Sequence, residues 1–267
     1  PDVEWFLAHA WLTATVTNPT SEQSPDGLAA NATTYGLGNL GASWVGDEGD
    51  DVLECNVATA AIDPSTAAFA LVCDAGDDAV ITLRRGTIAS PGDLVCTFSK
   101  CSPANVWVGF SAVSTLTSSW YLRIDDSAAS DPSDPVAREV AFFGVAPRVV
   151  LGGGSEGLDI ARTAQARAVT DLSTHSAGQL GADFAAEQPT LYGLTLAVGS
   201  HEDTAGWARL RAAWLAAKTV RPVLMCADKD RVAEYGVTVL GRFAAMPSEA
   251  VEPGMMVTSS VTVVEMV

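Results

Sequence analysis

The sequence is poor in basic residues and in histidine, and each shortage argues against a class of protein. Its 15 Lys and Arg stand against 32 Asp and Glu, which gives a formal net charge of −17. A surface this acidic repels phosphate backbones, so we expect no specific nucleic-acid binding. The three histidines, His9, His175 and His201, form no H-x-x-x-H or H-E-x-x-H pair, which argues against a zinc enzyme.

Targeting and membrane signals are also lacking. The first residues, PDVEWFLAHAW, carry neither a basic region nor a sustained apolar core, so we expect no signal peptide. No apolar run approaches the roughly 18 residues that a spanning helix needs. The sequence therefore predicts a soluble protein without membrane insertion.

Cysteine is sparse and irregularly spaced. The five cysteines form no C-x-x-C pair, so neither a zinc ribbon nor a disulfide framework is indicated. We expect most of them to be small, buried, reduced side chains. They are Cys55, Cys73, Cys96, Cys101 and Cys226.

What is present is a series of short strands. Residues 1–150 contain runs such as AVITLRRG and WYLRIDD, separated by turn-forming stretches such as DAGDD and ASPGD. This spacing predicts a mainly β domain over 1–150, an antiparallel sandwich or jelly roll. The glycine-rich stretch VLGGGSEG marks a break, and 151–267 predicts a second β-sandwich that carries one helix.

That helix is predicted over about 203–218. Trp207, Leu210 and Trp214 recur at helical spacing, so they fall on one face, and Pro222 ends the pattern. We expect this face to pack on a sheet.

The glycine-rich stretch VLGGGSEG fits both G-x-G-x-x-G and G-x-S-x-G. A dinucleotide site would need alternating strands and helices around it, and the chain lacks them. A hydrolase with Ser155 as nucleophile would need an α/β sheet to place Asp171 and either His175 or His201. No such sheet is indicated, and we predict no catalytic residue, no cofactor and no enzyme.

Two features suggest ligands. The acidic stretches GDEGDD (46–51) and DDSAASDPSD (125–134) are candidate loops for a structural calcium, with solvated loops as the alternative. Trp107, Trp120 and Tyr121 are candidates for stacking on a sugar or contacting a fibre, with core packing as the alternative.

Three stretches together resemble tail proteins of long-tailed bacteriophages. They are SWYLRIDDSAASDPSDPVAREVAFFGVAPRVVL, then STHSAGQLGADF, then the helix with RPVLMCADKD and EYGVTVLGRF. The resemblance covers about residues 118–267. The first half resembles a galactose-binding, discoidin-type jelly roll.

The resemblance implies a virion structural protein of the distal tail or baseplate. Such a protein would form a cyclic homo-oligomer, a trimer or hexamer, around the DNA channel. Its partners would be other tail proteins, fibre proteins and a host surface glycan, and it would be made in the host cytoplasm. The helix would then cover one face of its sheet and leave the other face to the ring. The alternative is a carbohydrate-binding module that acts through the jelly-roll half.

Overall fold

A computed structural model describes most of the chain, in thirteen segments. These are residues 5–21, 28–33, 43–47, 51–101, 105–127, 139–152, 193–199, 204–218, 221–234, 237–244, 246, 248–252 and 256–265. Within them the chain forms 17 β-strands, one α-helix and three short 3-10 helices. The 3-10 helices are Ala29–Thr33, Pro64–Thr66 and Lys229–Arg231. The prediction of a mainly β fold is confirmed, and these segments contain a single α-helix.

Two five-stranded antiparallel sheets form a sandwich. The outer sheet has the strand order β2-β4-β10-β6-β7, and the middle sheet has the order β3-β11-β5-β9-β8. The outer strands are β2 (Thr15–Thr17), β4 (Val52–Ile62), β6 (Val80–Thr87), β7 (Ser90–Thr97) and β10 (Thr117–Asp125). The middle strands are β3 (Trp44–Val45), β5 (Ala67–Cys73), β8 (Ser99–Cys101), β9 (Val106–Gly109) and β11 (Glu139–Pro147).

A third sheet has the order β12-β1-β14-β15-β17-β13, with β16 paired to β17. Its strands are β1 (Trp5–Ala8), β12 (Val149–Gly152), β13 (Gly193–Gly199), β14 (Val223–Cys226), β15 (Thr238–Phe243), β16 (Ser248–Glu252) and β17 (Met256–Glu265). The sheets do not divide at residue 150, where the sequence predicted a boundary. β1 lies between β12 and β14, so the first described strand pairs with the second half of the chain.

The sandwich core consists of large side chains from both of its sheets. Trp120 of β10 lies edge-on to Phe69 of β5, with ring centroids 5.4 Å apart, and both are fully buried. Leu53, Ile81 and Phe143 belong to the same cluster. Each of these residues lies in a strand whose alternate positions point to one face, which is why the core takes every second residue.

A second core lies against the opposite face of the middle sheet. Ala68 and Ala70 of β5 alternate with the sandwich-core residues and join a cluster with Phe6, Leu224 and Cys226 of the third sheet. Small side chains on this face allow close approach of the third sheet. The middle sheet is therefore buried on both faces.

Trp11 joins the middle sheet to the third sheet. Its ring lies edge-on to Phe142 at 5.1 Å, and its Nε1 donates to the Pro222 carbonyl oxygen at 2.9 Å. Gly144 makes room for this ring, because a Cβ there would lie 2.6 Å from Trp11 Cε3. The contact needs a glycine for space and not for backbone conformation.

The helix α1 spans Thr204–Ala217 and packs on the third sheet. Leu210, Ala213 and Ala217 are buried, and Trp214 is half-buried against the same cluster. Lys218, in the left-handed region at φ 50°, donates its backbone N–H to the Trp214 carbonyl and ends the helix. The packing predicted for Leu210 is observed. The side chain of Trp207 lies outside the described residues.

The expectation that α1 covers one face of its sheet and leaves the other face free for a ring does not hold at β14. Cys226 of β14 lies near Cys101 of β8 in the middle sheet, and both belong to one buried cluster with Ala68 and Ala70. Alternation along β14 turns Val223 and Met225 to the other face. At β14 one face therefore lies against the middle sheet and is not left for neighbouring subunits.

Candidate functional site

The aromatic residues singled out from the sequence do not form an exposed platform. Trp107 is 2 % exposed and Trp120 is 0 % exposed. Trp107 Nε1 donates to the Cys73 carbonyl at 3.4 Å, and Trp120 Nε1 donates to Thr59 Oγ1 at 2.9 Å. The prediction that either tryptophan stacks on a sugar is therefore wrong, because both rings are core side chains. The alternative, core packing, describes them.

Tyr121 lies on the opposite face of β10 and belongs to a polar network. Its hydroxyl donates to Glu54 Oε1, and the same oxygen accepts from Arg123 Nη1 at 2.7 Å. Arg123 Nη2 donates to Asp125 Oδ2 at 2.8 Å. One arginine thus bridges two carboxylates and fixes their positions.

Register explains why these side chains meet. In an antiparallel sheet, directly paired residues lie on the same face. Arg123 pairs with Glu54 of β4, and Tyr121 pairs with Asn56 of β4 and with Arg84 of β6. We name this surface the polar face. Its members are Glu54, Asn56, Arg84, Tyr121, Arg123 and Asp125.

The polar face is exposed mainly at Arg123, since Tyr121 and Asn56 beside it are buried. The side chain of Arg123 is 41 % exposed, whereas that of Glu54 is 14 % exposed. Leu94 of β7 pairs with Arg84, and Val80 pairs with Asp125, and both apolar side chains are exposed. The face therefore offers donors, acceptors and apolar contacts side by side.

Electrostatics fix the protonation of two members. Desolvation raises the pKa of Tyr121, so its hydroxyl stays protonated at neutral pH and remains a hydrogen-bond donor. Hydrogen bonds from Arg123 and Ser127 lower the pKa of Asp125, which stays ionised. Neither group has the pKa that a general acid or an activated nucleophile needs at neutral pH.

An acidic end of the sandwich adjoins the polar face, where β10 stops and β6 begins. Asp126 is fully buried, and its Oδ2 accepts the backbone N–H of Gly76 at 3.1 Å. Asp77 pairs with Lys100 at 2.7 Å. These contacts hold the loop over 74–79 and give it a structural role.

The calcium hypothesis stays a prediction. Parts of both acidic stretches, 48–50 and 128–134, lie outside the described residues. Among the residues that are described, no group of three or more His, Cys, Asp or Glu side chains is placed to hold a metal ion.

The glycine-rich motif and its partners also lie mostly outside the described residues. Ser155, Asp171, His175 and His201 all fall in the stretches 153–192 and 200–203. His9 is described, and desolvation lowers its pKa, with a smaller effect of Arg221.

All five cysteines are buried and none of them forms a disulfide, which confirms the predicted burial. Desolvation raises the pKa values of Cys55 and Cys96, and it raises that of Cys101 to about 12. Thiols held protonated in this way are poor nucleophiles.

Comparison with known proteins yields distant structural similarities. No family model and no curated protein matches the chain. Among solved structures, the family 32 carbohydrate-binding module of Clostridium perfringens NanJ in complex with galactose is 14% identical, with a TM-score of 0.38, over 52% of this chain and 98% of that chain.

Two further modules give comparable values. A Clostridium perfringens module in complex with GalNAc-β-1,3-galactose is 15% identical, with a TM-score of 0.37, over 51% of this chain and 99% of that chain. Chitosan-binding module 1 from a chitosanase/glucanase of Paenibacillus sp. IK-5 is 13% identical, with a TM-score of 0.35, over 50% of this chain and 95% of that chain. Similarities at this level carry no argument about function.

The resemblance to phage tail proteins stays a prediction. No helix in the described part of the chain is long and apolar enough to cross a membrane.

Sequence reasoning missed most of the polar face. The alternation in WYLRIDD already places Tyr121, Arg123 and Asp125 on one side of a strand. That signal was sufficient to suggest a polar strip. Glu54 and Arg84 come from other strands, and only the register shows that they belong to it.

Proposed function

We propose that this chain is a non-catalytic carbohydrate-binding module whose ligand lies on the polar face. The observation that carries the proposal is the bridge of Arg123 between Glu54 and Asp125, with the Tyr121 hydroxyl on the same Glu54 oxygen. The proposal takes up the carbohydrate-binding alternative and moves its site from the tryptophans to this face.

The chemistry of the polar face fits a polyhydroxylated ligand. A sugar hydroxyl both donates and accepts a hydrogen bond. Arg123 supplies donors, and Glu54 and Asp125 supply acceptors, within one or two residue spacings. Bonds to charged groups are the stronger class of hydrogen bond, so the exposed part of this face can bind hydroxyls in competition with water. Leu94 and Val80 offer apolar contact to the C–H groups of a sugar ring.

Preorganisation favours binding as well. The carboxylate of Glu54 receives two hydrogen bonds before any ligand arrives. Side chains already fixed lose less conformational entropy when a ligand binds. The network therefore lowers the cost of recognition.

Charge and pKa argue against other uses of this face. The net charge of −17 repels nucleic acid. Asp125 is held ionised and Tyr121 is held neutral, which suits hydrogen bonding to hydroxyls better than proton transfer.

The test is a glycan array followed by titration calorimetry on the strongest ligand. Arg123→Ala should weaken binding by about tenfold or more, because it removes charge-assisted donors and releases both carboxylates. Arg211→Ala is the matched control, since it removes an equal charge from an exposed helical position. Thermal unfolding of both variants checks that the fold is intact. Absence of glycan binding by the wild-type chain, or equal binding by both variants, would overturn the proposal.

The alternative is a ring-forming tail component, which the resemblance to phage tail proteins predicts. Light scattering across protein concentrations measures the native mass. A discrete trimer or hexamer that binds no glycan would favour the ring. A monomer that binds glycan through Arg123 would favour the module.

A further inference from the structure

Arg84 differs from the other arginine of the polar face in having no acidic partner. Arg123 bridges two carboxylates, whereas no carboxylate among the described residues pairs with Arg84. Its recorded hydrogen bond is long, from Nη1 to the Gly92 carbonyl oxygen at 3.4 Å. A guanidinium has five N–H donors, so this bond uses little of its capacity. Because the chain has 32 acidic residues, a half-exposed arginine without an acidic partner among the described residues is a candidate for binding an acidic ligand.

The backbone around Arg84 is irregular. The register between β6 and β7 shifts on both sides of it, between Leu83 and Arg84 and again between Arg84 and Gly86. Gly86 has a φ of +89°, and a Cβ there would lie 2.5 Å from the Ser90 carbonyl oxygen. Such bulges re-aim a side chain and occur often beside functional sites.

We propose that Arg84 binds the carboxylate of an acidic sugar unit, so that the ligand is a saccharide with an isolated uronate-type unit among neutral ones. The proposal rests on the proposed function and adds the chemical class of the ligand. A planar guanidinium matches a carboxylate through two parallel hydrogen bonds. Leu94 pairs with Arg84 across the strands, is exposed, and would contact the same unit or its neighbour.

The overall charge limits the ligand to few carboxylates. A chain with an acid on every unit is repelled by a protein of net charge −17. Salt screens charges over about 8 Å at physiological ionic strength. The electrostatic interaction of one bound carboxylate therefore depends mainly on its contact with Arg84 and little on distant charges. A single local cation in an acidic surface therefore selects an isolated acid and disfavours a polyanion.

The experiment uses the full chain and a glycan array printed with matched sets. Each set contains a neutral oligosaccharide, the same backbone with one uronate unit, and the backbone with uronate throughout. The strongest set is then titrated in solution. We expect the single-uronate member to bind about tenfold more tightly than the neutral one, and the fully acidic member to bind most weakly.

Arg84→Gln should remove the preference, so that the ratio of the single-uronate affinity to the neutral affinity, both measured on this variant, falls from about tenfold to about one. Arg84→Lys keeps the charge but loses the planar guanidinium that makes two parallel hydrogen bonds, and should give an intermediate preference. Arg211→Gln is the control, because it changes the net charge equally and lies on the exposed side of α1.

The outcomes separate this inference from the proposed function. If neutral members bind and Arg123→Ala abolishes that binding, the proposed function holds. A single-uronate member that then binds no better than its neutral partner overturns the role of Arg84. An unchanged preference in Arg84→Gln has the same consequence. Absence of any binding by the wild-type chain overturns both.

Discussion

The middle and outer sheets differ in how many of their faces are buried. In β5 of the middle sheet, the residues Ala67–Leu71 are all buried, because the sandwich core lies on one side and the third sheet on the other. In β10 of the outer sheet, Trp120, Leu122 and Ile124 are buried while Arg123 and Asp125 are half-buried. The sequences show the same contrast, as AAFALVC is uniformly apolar and WYLRID alternates.

The contrast shows where a binding surface is available. A sheet buried on both faces can contribute only to stability, since each side chain on it has a packing partner. A sheet with one free face can carry charged and hydrogen-bonding groups without desolvating them fully. In the outer sheet, one face thus contributes to the stability of the core, and the other, the polar face, is available for binding.

The largest effect is expected from the buried face of β10. Trp120→Ala should lower the free energy of unfolding by about 3–5 kcal/mol, because a fully buried indole leaves a cavity beside Phe69. Its neighbour supplies the matched control: Tyr121→Phe removes only the hydroxyl bonded to Glu54, at about 0.5–1.5 kcal/mol. Urea unfolding measures both. Equal costs would contradict the assignment of the two faces.

A second comparison lies on one helix. Leu210 is 1 % exposed and Leu215 is 55 % exposed. Leu210→Ala should cost about 2–5 kcal/mol, since it removes packing against the third sheet. Leu215→Ala should change stability by about 0.5 kcal/mol at most. Similar losses in the two variants, measured by urea unfolding, would show that α1 packs by a different face.

The junction of the middle and third sheets is sensitive to added volume. Gly144→Ala places a methyl group 2.6 Å from Trp11 and close to Phe142, and should cost about 1–3 kcal/mol. Trp11→Ala removes one of the two clashes. In a double-mutant cycle the combined cost should therefore be less than the sum of the single costs. Strict additivity would mean that Trp11 does not rest on Gly144.

Local features of the sequence predicted local structure well. The helix was expected over about 203–218 and is observed over Thr204–Ala217, because its apolar spacing and the following Pro222 are local signals. Burial of the five cysteines followed from their small apolar character. The alternation in WYLRIDD predicted β10 itself.

Long-range pairing could not be predicted in the same way. Glu54 and Arg123 are 69 residues apart and meet only because β4 pairs with β10 in one register. Likewise, nothing in the residues Trp5–Ala8 indicates that they lie between β12 and β14. The burial of Trp107 and Trp120 also depends on which face each strand turns to the partner sheet, and alternation alone leaves the two faces equivalent.

The smallest effect concerns the pH dependence of the polar face. Hydrogen bonds from Arg123 and Ser127 lower the pKa of Asp125 in the folded state. Below the ordinary carboxyl pKa of about 3.9 the unfolded chain therefore binds more protons at this position than the folded one. The stabilisation is fully present above that pH and is lost as the pH falls through the folded-state pKa.

Urea unfolding of wild type and Asp125→Asn between neutral pH and pH 2 tests this sign. The wild type should be the more stable at neutral pH, and the difference should shrink as Asp125 is protonated. Asp93→Asn on β7 is the control, because its carboxylate is 81% exposed and lies 3.6 Å from Arg85, in the range where an ion pair contributes little. A difference between wild type and Asp125→Asn that persists unchanged at pH 2 would mean that Asp125 acts through packing, and the charge bridge at the centre of the polar face would lose its support.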